Sequence, residues 1–338
     1  MVGKVGANLP FIHPAYEGLL FALFSFFSYK KAFWLFLFLN MALLVLVFRL
    51  LMLPPIWMGE TWAALPPMTV AGFLPVGICL IQGQDSILLL LIIAGAYALQ
   101  KGDRDFASGL VLGLGMFRFQ MVIPLVVLLC FARKWKLLAG FAVTCFGVAA
   151  ISIATTAPAS WMSYPRYLLA MSAGSQIESE RLAHAIYPEA MPNLRGLFHF
   201  SLGERVSGAT IQVLTGVTSA ALLGWAIVKR LPFELMVIVA VLVSYHGQIH
   251  DSVLLLLPLL ECRIPASSGA GKRLLAWSLL LACPVLAFVL RLPYAVLSLV
   301  YLAFIVAMPG SLYNKAQNAH IEDEAAASTD GTLRGQAG

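Results

Sequence analysis

The chain has 338 residues, of which 60% are hydrophobic and 11% charged, and its mean hydropathy is +0.87. That balance excludes an ordinary soluble domain and indicates an all-α, polytopic integral membrane protein. The net charge of +6 does not indicate a nucleic-acid partner, because Lys and Arg are spread thinly between apolar runs, where they act as topology signals.

Met1 to Pro10 is neither apolar nor basic enough for a signal peptide and reads as a loop. Gly18 to Phe27 is a short aromatic run, expected to form an interfacial or re-entrant helix before Lys30 and Lys31. Ala32 to Leu53 reads as a full span, followed by a loop bracketed by Pro54-Pro55 and Pro66-Pro67. Two short apolar runs, Val70 to Gln82 and Ser86 to Gln100, meet at Gly83-Gln84-Asp85. After a charged loop, two more, Phe106 to Phe117 and Met121 to Ala132, meet at Arg118-Phe119-Gln120. Leu137 to Thr155 reads as a span, and residues 158–208 as a long polar loop. Ala209 to Val228, Leu231 to Tyr245, Ser252 to Leu260, Leu274 to Leu290 and Tyr294 to Met308 complete the apolar set. Residues 1–309 therefore read as a single transmembrane domain and 310–338 as a disordered cytoplasmic tail. The five cysteines lie within or at the ends of apolar runs, at no spacing that suggests a metal site or a disulfide framework.

The positive-inside rule places Lys101/Arg104, Arg133/Lys134/Lys136, Lys229/Arg230 and Arg263/Lys272/Arg273 in the cytoplasm. All polar joints then open to the other face, beneath the loop 158–208. The densest joint is Ser244-Tyr245-His246-Gly247-Gln248-Ile249-His250-Asp251, between runs that are each too short to cross alone, since a crossing takes roughly 20 apolar residues. Polar groups at membrane depth are costly and mark sites, partners or cavities. His246 and His250 stand at i, i+4, but Gly247 and the lack of a third ligand nearby argue against a metal, and no cofactor is expected.

Several segments together resemble polyprenol-phosphate-sugar-dependent glycosyltransferases of the C-type fold, in particular the phosphatidylinositol-mannoside mannosyltransferase-like family. They are Phe11-x-His13-Pro14-Ala15, Gly83-Gln84-Asp85-Ser86, the helix pair of Phe106 to Arg133, Met191-Pro192-Asn193-Leu194-Arg195-Gly196-Leu197, and Ser244 to Pro258. The resemblance implies a helical bundle with several short, broken helices in a bacterial inner membrane. It implies transfer of a hexose, mannose-like, from a polyprenyl-phosphate sugar to a hydroxyl of a lipid or glycan acceptor on the extracytoplasmic face. The family's catalytic Asp follows a first transmembrane helix for which this chain has no counterpart. A truncated or inactive form is accordingly one expectation. A secondary transporter, a lipid-linked glycan ligase and a non-catalytic partner subunit are the alternatives.

Inverting sugar transfer needs a carboxylate that takes a proton from the acceptor and donors for the phosphate as charge builds on the leaving group. His250 and Asp251 are the expected catalytic residues, His250 as a donor to the phosphate or leaving oxygen and Asp251 to orient it, with Asp251 also suited to cap the following helix. Gln84, Asp85, Arg118, Gln120, Asn193, Arg195, His246 and Gln248 are the expected substrate-binding residues. Arg118 leads because a forked guanidinium suits a phosphate, although Arg also snorkels at interfaces. Asp85 reads equally as a helix N-cap, and Asn193 and Arg195 equally as residues that order the long loop.

Overall fold

The computed structural model describes residues 15–52, 72–156, 188–261 and 282–307. The elements are α1 (Ala15–Ala22), α2 (Tyr29–Met52), α3 (Leu74–Gln82), α4 (Ser86–Lys101), α5 (Asp105–Gly113), α6 (Phe119–Phe131), α7 (Trp135–Thr155), α8 (Leu194–Leu202), α9 (Gly208–Val228), α10 (Phe233–Val243), α11 (Leu256–Glu261) and α12 (Ala295–Ala307). Tight 3-10 turns occupy Leu23–Phe26, Leu114–Arg118, Pro188–Ala190 and Ile249–Leu255, and residues 282–289 are helical. No strand occurs among the described residues.

Four helical stretches among the described residues are long and apolar enough to cross a membrane: Tyr29–Leu51, Asp105–Phe131, Trp135–Thr155 and Gly208–Val228. The windows of α7 and α9 are only 11% and 17% buried, and Val143, Phe146, Ile151, Val213 and Val217 stand exposed on them. Such apolar faces suit lipid and not water. The protein is a multi-pass membrane protein.

The stretch Asp105–Phe131 doubles back. Its helix breaks at Arg118, whose backbone leaves helical geometry at φ −112 and ψ 54. Lys134 Nζ lies 3.6 Å from Asp105 Oδ2, so the two ends of the hairpin meet. The other broken pairs share this layout. α4 runs from Asp85 to Lys101, and α10 with residues 249–261 runs from Glu234 out to His246 and back to Glu261. Lys101, Lys134, Glu234 and Glu261 line one cavity of ≈390 Å³ at the basic end. At 1.5 Å per residue, α4 is ~24 Å long and the 249–261 segment shorter, each less than the roughly 30 Å of a bilayer core.

Two packing features fix these elements. α10 is apolar all round and buried from Phe233 to Leu242, as the central helix of a bundle must be. α5 lies against α7 with backbones in contact. A Cβ at Gly109 would fall 1.8 Å from the Leu137 carbonyl oxygen, and one at Gly140 would fall 2.1 Å from that of Phe106. Thr144 Oγ1 donates to the Leu110 carbonyl at 2.8 Å across the same seam. Small residues that let helices approach this closely are a membrane packing device.

The segment 158–208, read above as loop, contains α8 and a 3-10 turn in its described part. Asn193 starts α8: its Oδ1 accepts from Gly196 N–H at 2.8 Å. Residues 157–187 lie outside the described residues, as do the tail 310–338 and the first part, 274–281, of the run from Leu274.

Candidate functional site

Three joints meet at the end of the bundle opposite the basic cavity. The first is the α3–α4 turn. Gly83 closes α3 in the left-handed region at φ 62, which lets Gln84 N–H return to the Cys79 carbonyl at 3.0 Å. Asp85 stands at the N-cap of α4, yet its side chain makes no capping bond. It is turned toward Arg118 of the second joint. Arg118 Nε donates to Asp85 Oδ1 at 3.0 Å, and a second nitrogen of the same guanidinium donates to that oxygen. The guanidinium also reaches Gln84 Oε1 at 3.4 Å and lies 3.7 Å from Asp251 Oδ1. Arg118 is 6% exposed, so this is a buried ion pair and not a side chain reaching for headgroups.

The third joint brings Asp251, fully buried, against both. Ser86 Oγ donates to Asp251 Oδ1 at 2.6 Å, and Gln248 N–H donates to Asp251 Oδ2 at 2.8 Å. The Gln248 side chain completes a reciprocal capping box, so Asp251 is a cap as well as a counter-ion for Arg118. His250 Nδ1 is 3.1 Å from Gln82 Oε1, which makes Nδ1 the donor and leaves Nε2 as the basic nitrogen of the neutral ring. That Nε2 is buried, 3.8 Å from Asp251 Oδ1, and has no hydrogen-bond partner.

α8 packs onto the same joint from the side. Asn193 Nδ2 donates to the Ser244 carbonyl at 2.8 Å and is fully buried, so its role here is to anchor α8. Arg195 stacks its guanidinium over the Tyr245 ring at 4.4 Å, with one nitrogen 3.5 Å from the Tyr245 carbonyl. Its Nε is buried without a partner. Burial lowers its pKa, and no described carboxylate opposes that. His246, next in the chain to Tyr245, is half-buried. Gln120 begins α6, half-buried, with no side-chain hydrogen bond among the described residues.

The joints therefore bring together Gln84, Asp85, Arg118, His250, Asp251, Gln248, His246, Asn193 and Arg195. Sequence reading missed Gln82, Ser86 and Tyr245 as members, and it gave no role to Glu17. Glu17 is 3% exposed and hydrogen-bonds Asp85. One signal was there: Glu17 is the single charged residue between Lys4 and Lys30. Among the described residues, no group of three or more His, Cys, Asp or Glu is placed to hold a metal.

A site of this kind can bind polar hydroxyls, hold one proton acceptor in a fixed orientation and offer positive charge to an anion. Comparison with curated proteins and with solved structures gives no match. The family model for glycosyltransferase family 87 matches residues 11–258, a span that takes in α1 and all three joints, and the chain belongs to that family of membrane glycosyltransferases.

Proposed function

We propose that the protein moves a hexose from a polyprenyl-phosphate sugar to a hydroxyl of a lipid or glycan acceptor, at the extracytoplasmic face of a bacterial plasma membrane. Glycosyltransferases use a sugar donor and an acceptor; the finer assignment rests on the place of the cluster. The observation that carries it is that buried Asp85, Arg118, His250 and Asp251 converge where three pairs of short helical segments turn, at the end away from the Lys101–Lys134 cavity. With that cavity in the cytoplasm, the cluster faces outward and is reached by a substrate whose headgroup lies at the outer leaflet.

In this reading the acceptor oxygen attacks the anomeric carbon from the face opposite the phosphate. The bond from that carbon to the phosphate oxygen breaks, and the polyprenyl phosphate leaves with the electron pair. The acceptor proton passes to His250 Nε2, the unserved nitrogen, while Gln82 holds Nδ1 and Asp251 stabilises the resulting cation. Asp85, Arg118 and Asn193 hold the joints in register. Gln84, Gln120, His246 and Gln248 line the space for sugar hydroxyls, and the cations supply charge for the phosphate.

The test is reconstitution in nanodiscs with a short-chain polyprenyl-phosphate mannose and, separately, with nucleotide sugars. Saturable binding of the lipid-linked donor is expected. Binding of a nucleotide sugar with none of the lipid-linked form would sink this reading.

A further inference from the structure

Two guanidinium groups stand near the cluster, and their surroundings differ. Every direction around Arg118 is taken. Asp85 accepts from two of its nitrogens, Gln84 from one at 3.4 Å, and Asp251 faces the third at 3.7 Å. A phosphate would have to displace one of those carboxylates inside a closed site. Arg195 is the reverse case. Among the described residues no carboxylate pairs with it. Its one polar contact is the long 3.5 Å approach to the Tyr245 carbonyl, and its Nε is buried without a partner. A half-buried guanidinium in that state is expensive unless an anion from elsewhere completes it.

The mounting of Arg195 is rigid. Asn193 caps α8 and ties it to the Ser244 carbonyl, and the Tyr245 ring lies under the guanidinium, so the side chain is braced at both ends. The Tyr245 ring under Arg195 belongs to the joint that runs on through His246 to His250, and a Cβ at Gly247 of that joint would lie 3.8 Å from Asn193 Nδ2. The unpaired cation thus stands beside the joint that carries His250.

Resting on the donor reading above, we propose that Arg195 is the residue that receives the donor's phosphate, and that Arg118 is a positioning residue that holds Asp85 and Asp251. The charge arithmetic fits. A glycosyl polyprenyl phosphate is a diester with one negative charge, which one guanidinium balances. When the glycosidic bond breaks, the phosphate becomes a monoester with more than one charge near neutral pH. The pull of Arg195 therefore grows along the reaction, which is what transition-state stabilisation requires. A phosphodiester can also come from an anionic membrane lipid, so the test has to separate the two sources.

The full chain is placed in phosphatidylcholine nanodiscs, and binding of short-chain polyprenyl-phosphate mannose is followed by thermal shift and native mass spectrometry. R195A and R195Q are expected to weaken binding by roughly 10- to 100-fold, the range for a lost charge-assisted hydrogen bond. R195K is expected to recover part of it as a point charge. The melting temperature without ligand is expected to hold or rise in R195Q, because an unpaired buried charge has been removed. R118K is expected to lower that melting temperature, while the protein that remains folded still binds. Wild-type affinity in R195Q at normal melting overturns the inference and leaves the donor reading standing. If wild type ignores the polyprenyl-phosphate sugar but is stabilised by phosphatidylglycerol through Arg195, the donor reading falls and the assignment of Arg195 to this donor falls with it.

Discussion

The two buried polar clusters of this protein occupy opposite ends of the same helices. At the basic end, Tyr97 Oη hydrogen-bonds Glu234 and, at 2.9 Å, Glu261, and Lys101 Nζ donates to Glu261 at 3.1 Å while lying 5.0 Å from the Tyr97 ring centroid. One phenol proton serves one acceptor, so a protonated carboxyl supplies the other bond, and of the residues lining that cavity Gln100 alone has a buried side-chain atom, Oε1, without a partner. At the far end Asp85, Arg118, Ser86 and Asp251 are equally well paired, but they sit among polar atoms with no partner: His250 Nε2, Ser252 Oγ and Arg195 Nε. α4, α10 and the 249–261 segment each put one end in each cluster. The first cluster ties the helices together beside its cavity, and in the reading proposed above the second is where a substrate finds groups to satisfy.

That comparison can be broken by experiment. The largest effect is expected from H250Q, which keeps a polar side chain but removes the proton acceptor: kcat should fall by roughly 10²–10⁴ with little change in melting. A loss of folding instead would move His250 from chemistry to structure. Next, R118A strands Asp85 and Asp251 as buried carboxylates and should cost about 3–5 kcal/mol of stability, read as a large drop in melting temperature, with activity lost alongside. Unchanged melting would show that Arg118 does not organise the cluster.

At the basic end, Y97F removes one donor between two carboxyls and should cost about 1–3 kcal/mol, while activity per folded molecule stays within about twofold. Lost activity at unchanged stability would mean that the two ends communicate in a way the comparison denies. The smallest effect is expected from E17Q. Glu17 is buried and hydrogen-bonds Asp85, and a glutamine amide can donate in its place. E17Q should therefore stay within about 1 kcal/mol of wild-type stability, read from the melting temperature; a large drop would show that Asp85 depends on the Glu17 carboxyl itself.

The sequence made the broken helix pairs legible because interruptions such as Gly83-Gln84-Asp85 stand out against apolar runs of fixed length requirement. It also showed which ends the pairs share, because the basic clusters alternate with the joints; the Lys134–Asp105 contact reflects that layout. The pairings themselves were not legible. Asp85 looks like an N-cap because local spacing is all a single chain displays, whereas its partner Arg118 lies 33 positions away. Tyr97, Glu234 and Glu261 carry no local signal in the sequence, since neither their burial nor their convergence follows from position. α8 hid inside the long polar segment although Asn193 is a good N-cap residue, because its nine residues carry no span-length signal.

The backbone contact of α5 with α7 bears on how a lipid could travel. Where even the carbon of an alanine methyl group would collide with a carbonyl at Gly109 and at Gly140, no isoprenoid chain slips between. That flank is closed by backbone contact. A long-tailed donor of the kind proposed would thread its chain past a different pair of helices, and enlarging the residues of this seam should push α5 off α7 and disturb the pitch at which Arg118 is presented.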